Sequence, residues 1–202
     1  MNVSVLGASG QAGSEIIKEL AARGHHVLAI ARKPEAIPKA PGVIAKASDA
    51  SDPAALAALI RGTDAVISAL HFDIPAATLL SALKQAGVKR LLVTGGAASL
   101  EVAPGKLLID TPDFPEEWKP IARPGIVFLD ALRKEKEIDW TFFSPAALLF
   151  KGPRLGHFRL GRNQLVTDAA GESKISFADY AIAMVDELEQ HRHSRARFTA
   201  AY

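Results

Sequence analysis

The sequence contains no cysteine, and it has no large excess of charge of either sign. Without thiols the chain cannot form disulfide bonds, iron–sulfur clusters, thiolate zinc sites or thiol nucleophiles. Its 24 basic and 22 acidic residues leave a net charge of only +2, which does not indicate a nucleic-acid partner. Apolar runs of membrane-spanning length and a signal-peptide pattern are also missing, so we expect a cytoplasmic protein without a membrane partner. We predict no metal site.

The length and the hydrophobic content of the chain favour a globular domain. The chain has 202 residues, of which 49% are hydrophobic, and this suits one α/β domain with a sizeable core. Strand and helix patterns alternate over the first two thirds. Because the strands are short, continuous and apolar, the alternation predicts a Rossmann-like, doubly wound parallel sheet in three layers, with residues 1–202 as a single domain. The predicted strands cover residues 3–6, 26–31, 43–46, 65–69, 89–94, 140–144, 158–160, 164–167 and 197–200.

The helices carry start and stop signals. Asp52 before Pro53 predicts a capped start, and Ser176 with Asp179 three residues later predicts another, for a helix that runs to about residue 191. Two further helices are predicted over 75–86 and 123–137. The proline-containing loop 97–117 precedes the second of these, and we expect acceptor-site elements in 97–120 and 145–180.

Three glycines separate the first predicted strand from the first helix. Gly7, Gly10 and Gly13 follow the spacing GxxGxxG, and strand, glycine turn and helix in that order form the phosphate cradle of a dinucleotide-binding unit. Gly7 permits the tight turn, Gly10 lets a pyrophosphate approach the backbone, and Gly13 lets the helix pack closely. The free N–H groups at the helix start then face the phosphates. The alternative is an ordinary strand-to-helix turn.

The end of the second strand bears on the choice of cofactor. NAD sites usually place an acid there to bond the ribose 2′-hydroxyl, whereas this chain has Arg32 and Lys33. Cations cannot accept a hydroxyl proton, but they can pair with a 2′-phosphate. The position favours NADP(H) over NAD(H), and two solvated surface cations are the alternative.

The strand ends together resemble those of the atypical short-chain dehydrogenase/reductase family. The resemblance rests on GASGQAG at 7–13, Arg32, Asp49, GGxxS at 95–99, SPAA at 144–147 and ISxxDYA at 175–181. Within that family the chain is similar to the NmrA-like NADH-flavin reductases and to the biliverdin IXβ reductase (flavin reductase) group. The motifs and the resemblance together imply the following cofactor-binding residues: Gly7, Ala8, Ser9, Gly10, Gln11, Ala12, Gly13, Arg32, Asp49, Ala50, Ala69, Leu70, His71, Thr94, Gly95, Pro145, Ala146 and Ala147.

The chain lacks the Tyr-x-x-x-Lys pair with which ordinary short-chain dehydrogenases move a proton to or from an alcohol oxygen. Its two tyrosines, Tyr180 and Tyr202, have no lysine four residues later. Alcohol oxidation or nucleotide-sugar epimerisation is therefore disfavoured. Hydride transfer to a flavin or quinone needs less, because solvent can protonate a delocalised acceptor. A non-catalytic protein that senses the redox state of NAD(P)H fits equally well. The expected partner is a small-molecule acceptor, and the chain is expected to be a monomer or a homodimer.

Several other residues have both a functional and a simpler structural interpretation. His71 and Ser99 are candidate catalytic residues, with a loop histidine and a turn-capping serine as the alternatives. Asp110 and Asp113 are interpreted as turn residues. His191 and His193 are interpreted as a solvated helix end. Core positions are expected for Trp118, Trp140, Phe142 and Phe143.

Overall fold

The computed structural model describes residues 1–202 and contains twelve strands and five α-helices. The strands are β1 Asn2–Leu6, β2 His26–Ala31, β3 Val43–Ala47, β4 Ala65–Ser68, β5 Arg90–Thr94, β6 Glu101–Ala103, β7 Lys106–Leu107, β8 Asp139–Ser144, β9 Leu148–Phe150, β10 Arg159–Gly161, β11 Lys174–Ser176 and β12 Ala196–Ala201. The helices are α1 Gln11–Ala22, α2 Pro53–Ile60, α3 Ala76–Ala86, α4 Lys119–Lys134 and α5 Phe177–Gln190. Single 3₁₀ turns form at Pro34–Ala36, Leu108–Asp110 and Glu116–Trp118.

Eight strands form one sheet in the order β10-β12-β8-β5-β4-β1-β2-β3. All neighbours in it are parallel except β10, which runs antiparallel to β12 at the edge. The chain moves outward from β1 to β3 and then returns to place β4 on the other side of β1. This reversal creates a crevice between the carboxyl ends of β1 and β4, where ligands bind in folds of this class. The predicted doubly wound sheet is confirmed, with an antiparallel edge strand added.

Two hydrophobic cores, one on each face of the central sheet, join the three layers of the fold. Successive strand residues point to opposite faces, so Ile67 packs on one core with α1 and α5, and Val66 packs on the other with α2, α3 and α4. The cores share the single sheet, and the chain forms one domain. No helix has the length and apolar character needed to cross a bilayer.

The helix signals read from the sequence are largely confirmed. Asp52 Oδ1 accepts hydrogen bonds from the N–H groups of Ala54 and Ala55 at 3.0 and 3.1 Å. Ser176 Oγ accepts from the N–H of Asp179 at 3.1 Å. Local capping therefore sets where α2 and α5 begin.

The predicted bounds of α4 are wrong by about one turn. The helix starts at Lys119 rather than residue 123, because the preceding 3₁₀ turn leads into it and Pro120 suits its first turn. It ends at Lys134 because the Glu135 carboxylate accepts from the N–H groups of Glu137 and Ile138 and so turns the chain away.

The loop after β5 and the last sixty residues contain strands that the sequence did not reveal. β6 and β7 form a hairpin inside the predicted loop 97–117, and β9 pairs with β11 in a small parallel sheet. The predicted strand at 164–167 is wrong. That segment makes only a single bridge, between Gln164 and Glu101, the first residue of β6, and it does not extend into a ladder.

Candidate functional site

Packing requires a glycine at two of the three positions in the turn after β1. Gly7 has a φ of +71°, and a Cβ there would lie 2.4 Å from the carbonyl oxygen of Ala69. A Cβ on Gly13 would lie 2.3 Å from the carbonyl oxygen of Gly7. Gly10 differs, because it is exposed and its Cβ would have one close neighbour, Gly7 O at 3.3 Å. The backbone at Gly10 is therefore open to a ligand.

The start of α1 presents unused hydrogen-bond donors beside Gly10. Gly10 supplies no side-chain cap, and the first intrahelical bond is from Ser14 N–H to Gly10 O at 2.8 Å. The N–H groups of Gln11, Ala12 and Gly13 have no partner within the protein. Free N–H groups at the positive end of a helix dipole attract anions. The turn therefore fits the pyrophosphate of a dinucleotide.

Arg32 and Asp49 lie near each other beyond the ends of β2 and β3. Both side chains are exposed, and Arg32 makes no ion pair or hydrogen bond. Asp49 accepts from the N–H of Ser51 at 2.9 Å. This bond, assisted by the charge of Arg32, lowers the pKa of the Asp49 carboxyl. The guanidinium of Arg32 is thus free to meet a phosphate.

A cavity of about 830 Å³ opens beyond β4, β5 and β8. The strand ends supply one wall, and the loop after β5 with the first turns of α4 supplies the other. Its lining residues are His71, Phe72, Asp73, Gly96, Ala97, Ala98, Leu108, Thr111, Asp113, Phe114, Pro115, Trp118, Ile121, Ala122, Pro124 and Ala147.

Phe72 is the part of this wall that packs against two further phenylalanine rings. Its ring lies 5.3 Å from the ring centroid of Phe128 and 6.1 Å from that of Phe142. A Cβ on Gly125 would fall 2.8 Å from a Phe72 ring carbon, so this glycine in α4 makes room for the ring. His71 and Asp73 flank Phe72 and are thereby held at the cavity.

The expected site residues divide between the turn, the cavity and the core. His71 and Ala147 line the cavity, whereas Pro145 and Ala146 are buried. Gly95 is required by packing, since a Cβ there would lie 2.3 Å from the ring of Phe142. The segment 97–120 lines the cavity extensively, but from 145–180 only Ala147 does so. Ala8 and Ala50 are buried, Ser9 is exposed, and Ala69, Leu70 and Thr94 are partly exposed.

Ser99, a candidate catalytic residue, has a structural partner. Its Oγ and its carbonyl oxygen accept hydrogen bonds from Arg197 at 2.9 and 2.8 Å, and its side chain is buried. It does not line the cavity. His71 is exposed at the cavity without a hydrogen-bond partner, which makes it the better placed of the two candidates.

The expectation that Trp118 belongs to the core is wrong. The residue is 55% exposed and lines the cavity together with Phe114 and Ile121. Sequence reasoning missed these apolar residues because they come from a 3₁₀ turn, an irregular loop and a helix start, whose joint face has no sequence period. Pro115 and Pro120 on either side of Trp118 were the available signal, since they disfavour a core strand at this position. Trp140, Phe142 and Phe143 are buried as expected.

His193 is also not solvated as expected. Its Nδ1 lies 2.7 Å from Glu187 Oε2, and its ring stacks on Phe198 with centroids 4.6 Å apart. His191, in contrast, is half exposed and pairs with Asp139. Both histidines lie at the amino edge of the sheet, away from the turn and the cavity.

The two tyrosines are structural. Tyr180 is fully buried, stacks on Phe143 with centroids 4.0 Å apart, and donates its hydroxyl to Phe143 O at 2.7 Å. Burial raises the pKa of Tyr180 well above its usual value, so the phenol stays protonated. The hydroxyl of Tyr202 donates to the buried carboxylate of Asp179 at 2.6 Å. Neither tyrosine lines the cavity.

Tyr180→Phe is therefore expected to leave any NADPH-dependent reduction rate within a few-fold of the unmodified protein. It should lower the free energy of unfolding by about 0.5–1.5 kcal/mol, because one buried hydrogen bond is lost. Steady-state kinetics and urea denaturation measure the two effects. A rate loss of about a hundred-fold, typical of removing a general acid or base, would show that Tyr180 acts in the chemistry.

Comparison with known proteins identifies the family. The sequence profile of the NAD(P)H-binding family matches residues 7–191, which includes the glycine turn, Arg32 and the cavity. The chain belongs to this NAD(P)H-binding family. This match, together with a structural neighbour described as an NADH-flavin reductase, confirms the resemblance to NAD(P)H-binding proteins of the atypical short-chain dehydrogenase/reductase type.

Three solved structures are similar to the NAD(P)H-binding chain over its whole length. A candidate exported protein from Burkholderia pseudomallei is 45% identical with a TM-score of 0.91, covering 100% of both chains. A candidate epimerase from Bacteroides thetaiotaomicron is 42% identical with a TM-score of 0.93, covering 100% of this chain and 96% of that one. A candidate NADH-flavin reductase from Streptococcus pneumoniae is 36% identical with a TM-score of 0.88, covering 100% and 99%. The three proteins carry different names, so the comparison does not assign one activity to this chain.

Proposed function

We propose that the protein is an NADPH-dependent reductase that transfers hydride to a planar acceptor, a flavin or a quinone, bound in the cavity beyond β4, β5 and β8. The observation that carries this proposal is the aromatic cavity, which begins at His71, two residues after the Ala69 that packs against Gly7, and contains no tyrosine hydroxyl. A planar ring system fits walls made of Phe72, Phe114 and Trp118.

The turn and the cavity are joined through the end of β4. Gly7 packs against the carbonyl of Ala69, and His71 and Phe72 follow Ala69 by two and three residues. A dinucleotide with its phosphates at Gly10 can therefore extend along this strand end to the cavity. Gly96, whose Cβ would have no neighbour closer than 4.0 Å, leaves room at the next strand end.

The chemistry asks little of the protein side chains. NADPH, when bound, supplies a hydride, and the acceptor takes up that hydride and one proton from water or a nearby acid to give the reduced acceptor and NADP⁺. The free N–H groups of α1 would hold the phosphates, and Phe72 and Trp118 would orient the acceptor ring. His71 is the one imidazole at the cavity and can relay the proton.

The turnover test separates this proposal from its alternatives. We expect NADPH oxidation with riboflavin, FMN or a simple quinone, and little activity on secondary alcohols or nucleotide sugars. An epimerase would act on nucleotide sugars without net NADPH consumption, and no observation at the cavity favours that reaction. Tight NADPH binding without turnover on any acceptor would contradict the reductase and support a redox sensor.

We propose NADPH as the preferred cofactor, and Arg32→Ala tests this preference. The variant should lose about ten- to a hundred-fold in NADPH affinity, as expected for one charge-assisted hydrogen bond worth about 1.5–3 kcal/mol, while NADH affinity changes little. Calorimetric titration with both cofactors measures the difference. Lys39→Ala, which removes an exposed cation outside the strand end, should affect neither. Equal losses for the two cofactors would contradict the assignment of Arg32.

A further inference from the structure

The cavity contains no cationic side chain. Its polar lining includes two carboxylates, Asp73 beside the end of β4 and Asp113 in the loop opposite, and neither arginine nor lysine. Both carboxylates are exposed at the cavity, and neither forms an ion pair or a hydrogen bond within the protein. Their negative charge is therefore not neutralised by a neighbour.

The cations nearest in sequence do not offset these carboxylates. Lys119 lies at the start of α4 but its Nζ pairs with Glu116. Arg123 lies between two lining residues without lining the cavity itself. The positive end of the α4 dipole also faces this region, and Glu117 immediately before it opposes that charge. An anionic group in the cavity would thus meet like charge and no arginine or lysine.

We propose that the cavity selects an uncharged planar acceptor and discriminates against the phosphorylated form of the same ring system. This inference rests on the proposed reductase function and narrows its substrate class to flavins without a phosphate group or to uncharged quinones. The carboxylates repel the phosphate of a phosphorylated acceptor and add little to the affinity for an uncharged one. The selection therefore acts by rejecting phosphate.

Riboflavin and FMN test this selection because they differ only in the terminal phosphate. With NADPH in excess, kcat/KM for riboflavin should exceed that for FMN by about tenfold, the size expected for like-charge contacts in a partly screened site. The double variant Asp73→Asn/Asp113→Asn should reduce this ratio to near unity. Added salt should also lower the ratio of kcat/KM for riboflavin to that for FMN, since exposed charges are screened over about 10 Å at 0.1 M ionic strength.

A matched control removes two negative charges from positions outside the cavity. Asp130→Asn/Glu172→Gln changes two exposed carboxylates that pair with Arg133 and Lys174 outside the cavity. This control should keep the riboflavin preference, which separates a local effect from a change in net charge. If it narrows the ratio as much as the cavity variant, the local assignment to Asp73 and Asp113 is overturned.

The remaining outcomes distinguish this inference from the proposed function. Equal or better turnover of FMN would overturn the selection while leaving the reductase intact. Absence of turnover with both flavins and with a simple quinone would contradict the reductase. In that case fluorescence titration of the NADP⁺-loaded protein with riboflavin and FMN still tests the selection, and equal dissociation constants would overturn it.

Discussion

Gly10→Val is expected to keep the fold and to lose dinucleotide binding. Gly10 has a φ of −76° and a ψ of 169°, an extended conformation that valine adopts readily, and its only close neighbour is Gly7 O. The added side chain would stand where the pyrophosphate meets the N–H groups of α1. Losing two or more charge-assisted hydrogen bonds, each worth about 1.5–3 kcal/mol, lowers affinity by about a hundred-fold or more.

Circular dichroism checks the fold of this variant, and calorimetric titration with NADPH checks its affinity. Lys18→Val, an exposed substitution further along α1, is the matched control and should bind NADPH normally. Normal binding by Gly10→Val would mean that the phosphates lie elsewhere, and the assignment of the turn would be wrong.

Glu187→Ala is expected to have the largest effect on stability. The Glu187 side chain is 2% exposed and accepts hydrogen bonds from Arg90 at 3.0 Å and from the N–H of His193 at 2.9 Å. Removing it leaves the largely buried guanidinium of Arg90 with only Asp139 at 3.4 Å. Breaking a buried ion pair in this way costs about 3–5 kcal/mol.

Urea denaturation measures this loss, with Asp186→Ala as the control on the neighbouring residue. Asp186 is 35% exposed, and its partner Arg23 also pairs with Glu19 and Glu189, so its removal should cost less than about 1 kcal/mol. The folded fraction of Glu187→Ala should still bind NADPH, because Arg90 and Asp139 begin their strands at the edge opposite the site. A stability loss equal to that of the control would contradict the structural role of Glu187.

Local signals in the sequence predicted much of the fold. The glycine turn, the caps at Asp52 and Ser176, and the short apolar strands each depend on a few adjacent residues, and their physical reasons act over that same short range. The site residues at the glycine turn could be predicted from the sequence for the same reason. Arg32 follows a strand whose end was already predicted, and its role toward a 2′-phosphate stays a prediction.

Features built from distant segments were not predictable in this way. The aromatic wall combines Phe72 after β4 with Phe114 and Trp118, which precede α4, and nothing in their spacing relates them. Glu187 and His193 belong to a buried cluster with Arg90, although each occurs among polar residues that suggest a solvated surface. Burial of a charge depends on partners from other elements, which a sequence pattern does not show.

One motif of the resemblance turned out to have a structural role. In ISxxDYA, Ile175 is in the core, Ser176 caps α5, and Tyr180 packs on Phe143. The buried carboxylate of Asp179 accepts from the N–H groups of Leu155 and Gly156 and so fixes the chain after β9. The motif therefore holds the last third of the chain against the sheet, and none of its side chains reaches the cavity.

A crystal structure of the protein with NADP⁺ tests the central claim most directly. We predict the pyrophosphate at the N–H groups of Gln11, Ala12 and Gly13, the 2′-phosphate at Arg32, and the nicotinamide ring at the cavity beside His71 and Gly96. A nicotinamide that points away from this cavity, or phosphates held outside the glycine turn, would contradict the account.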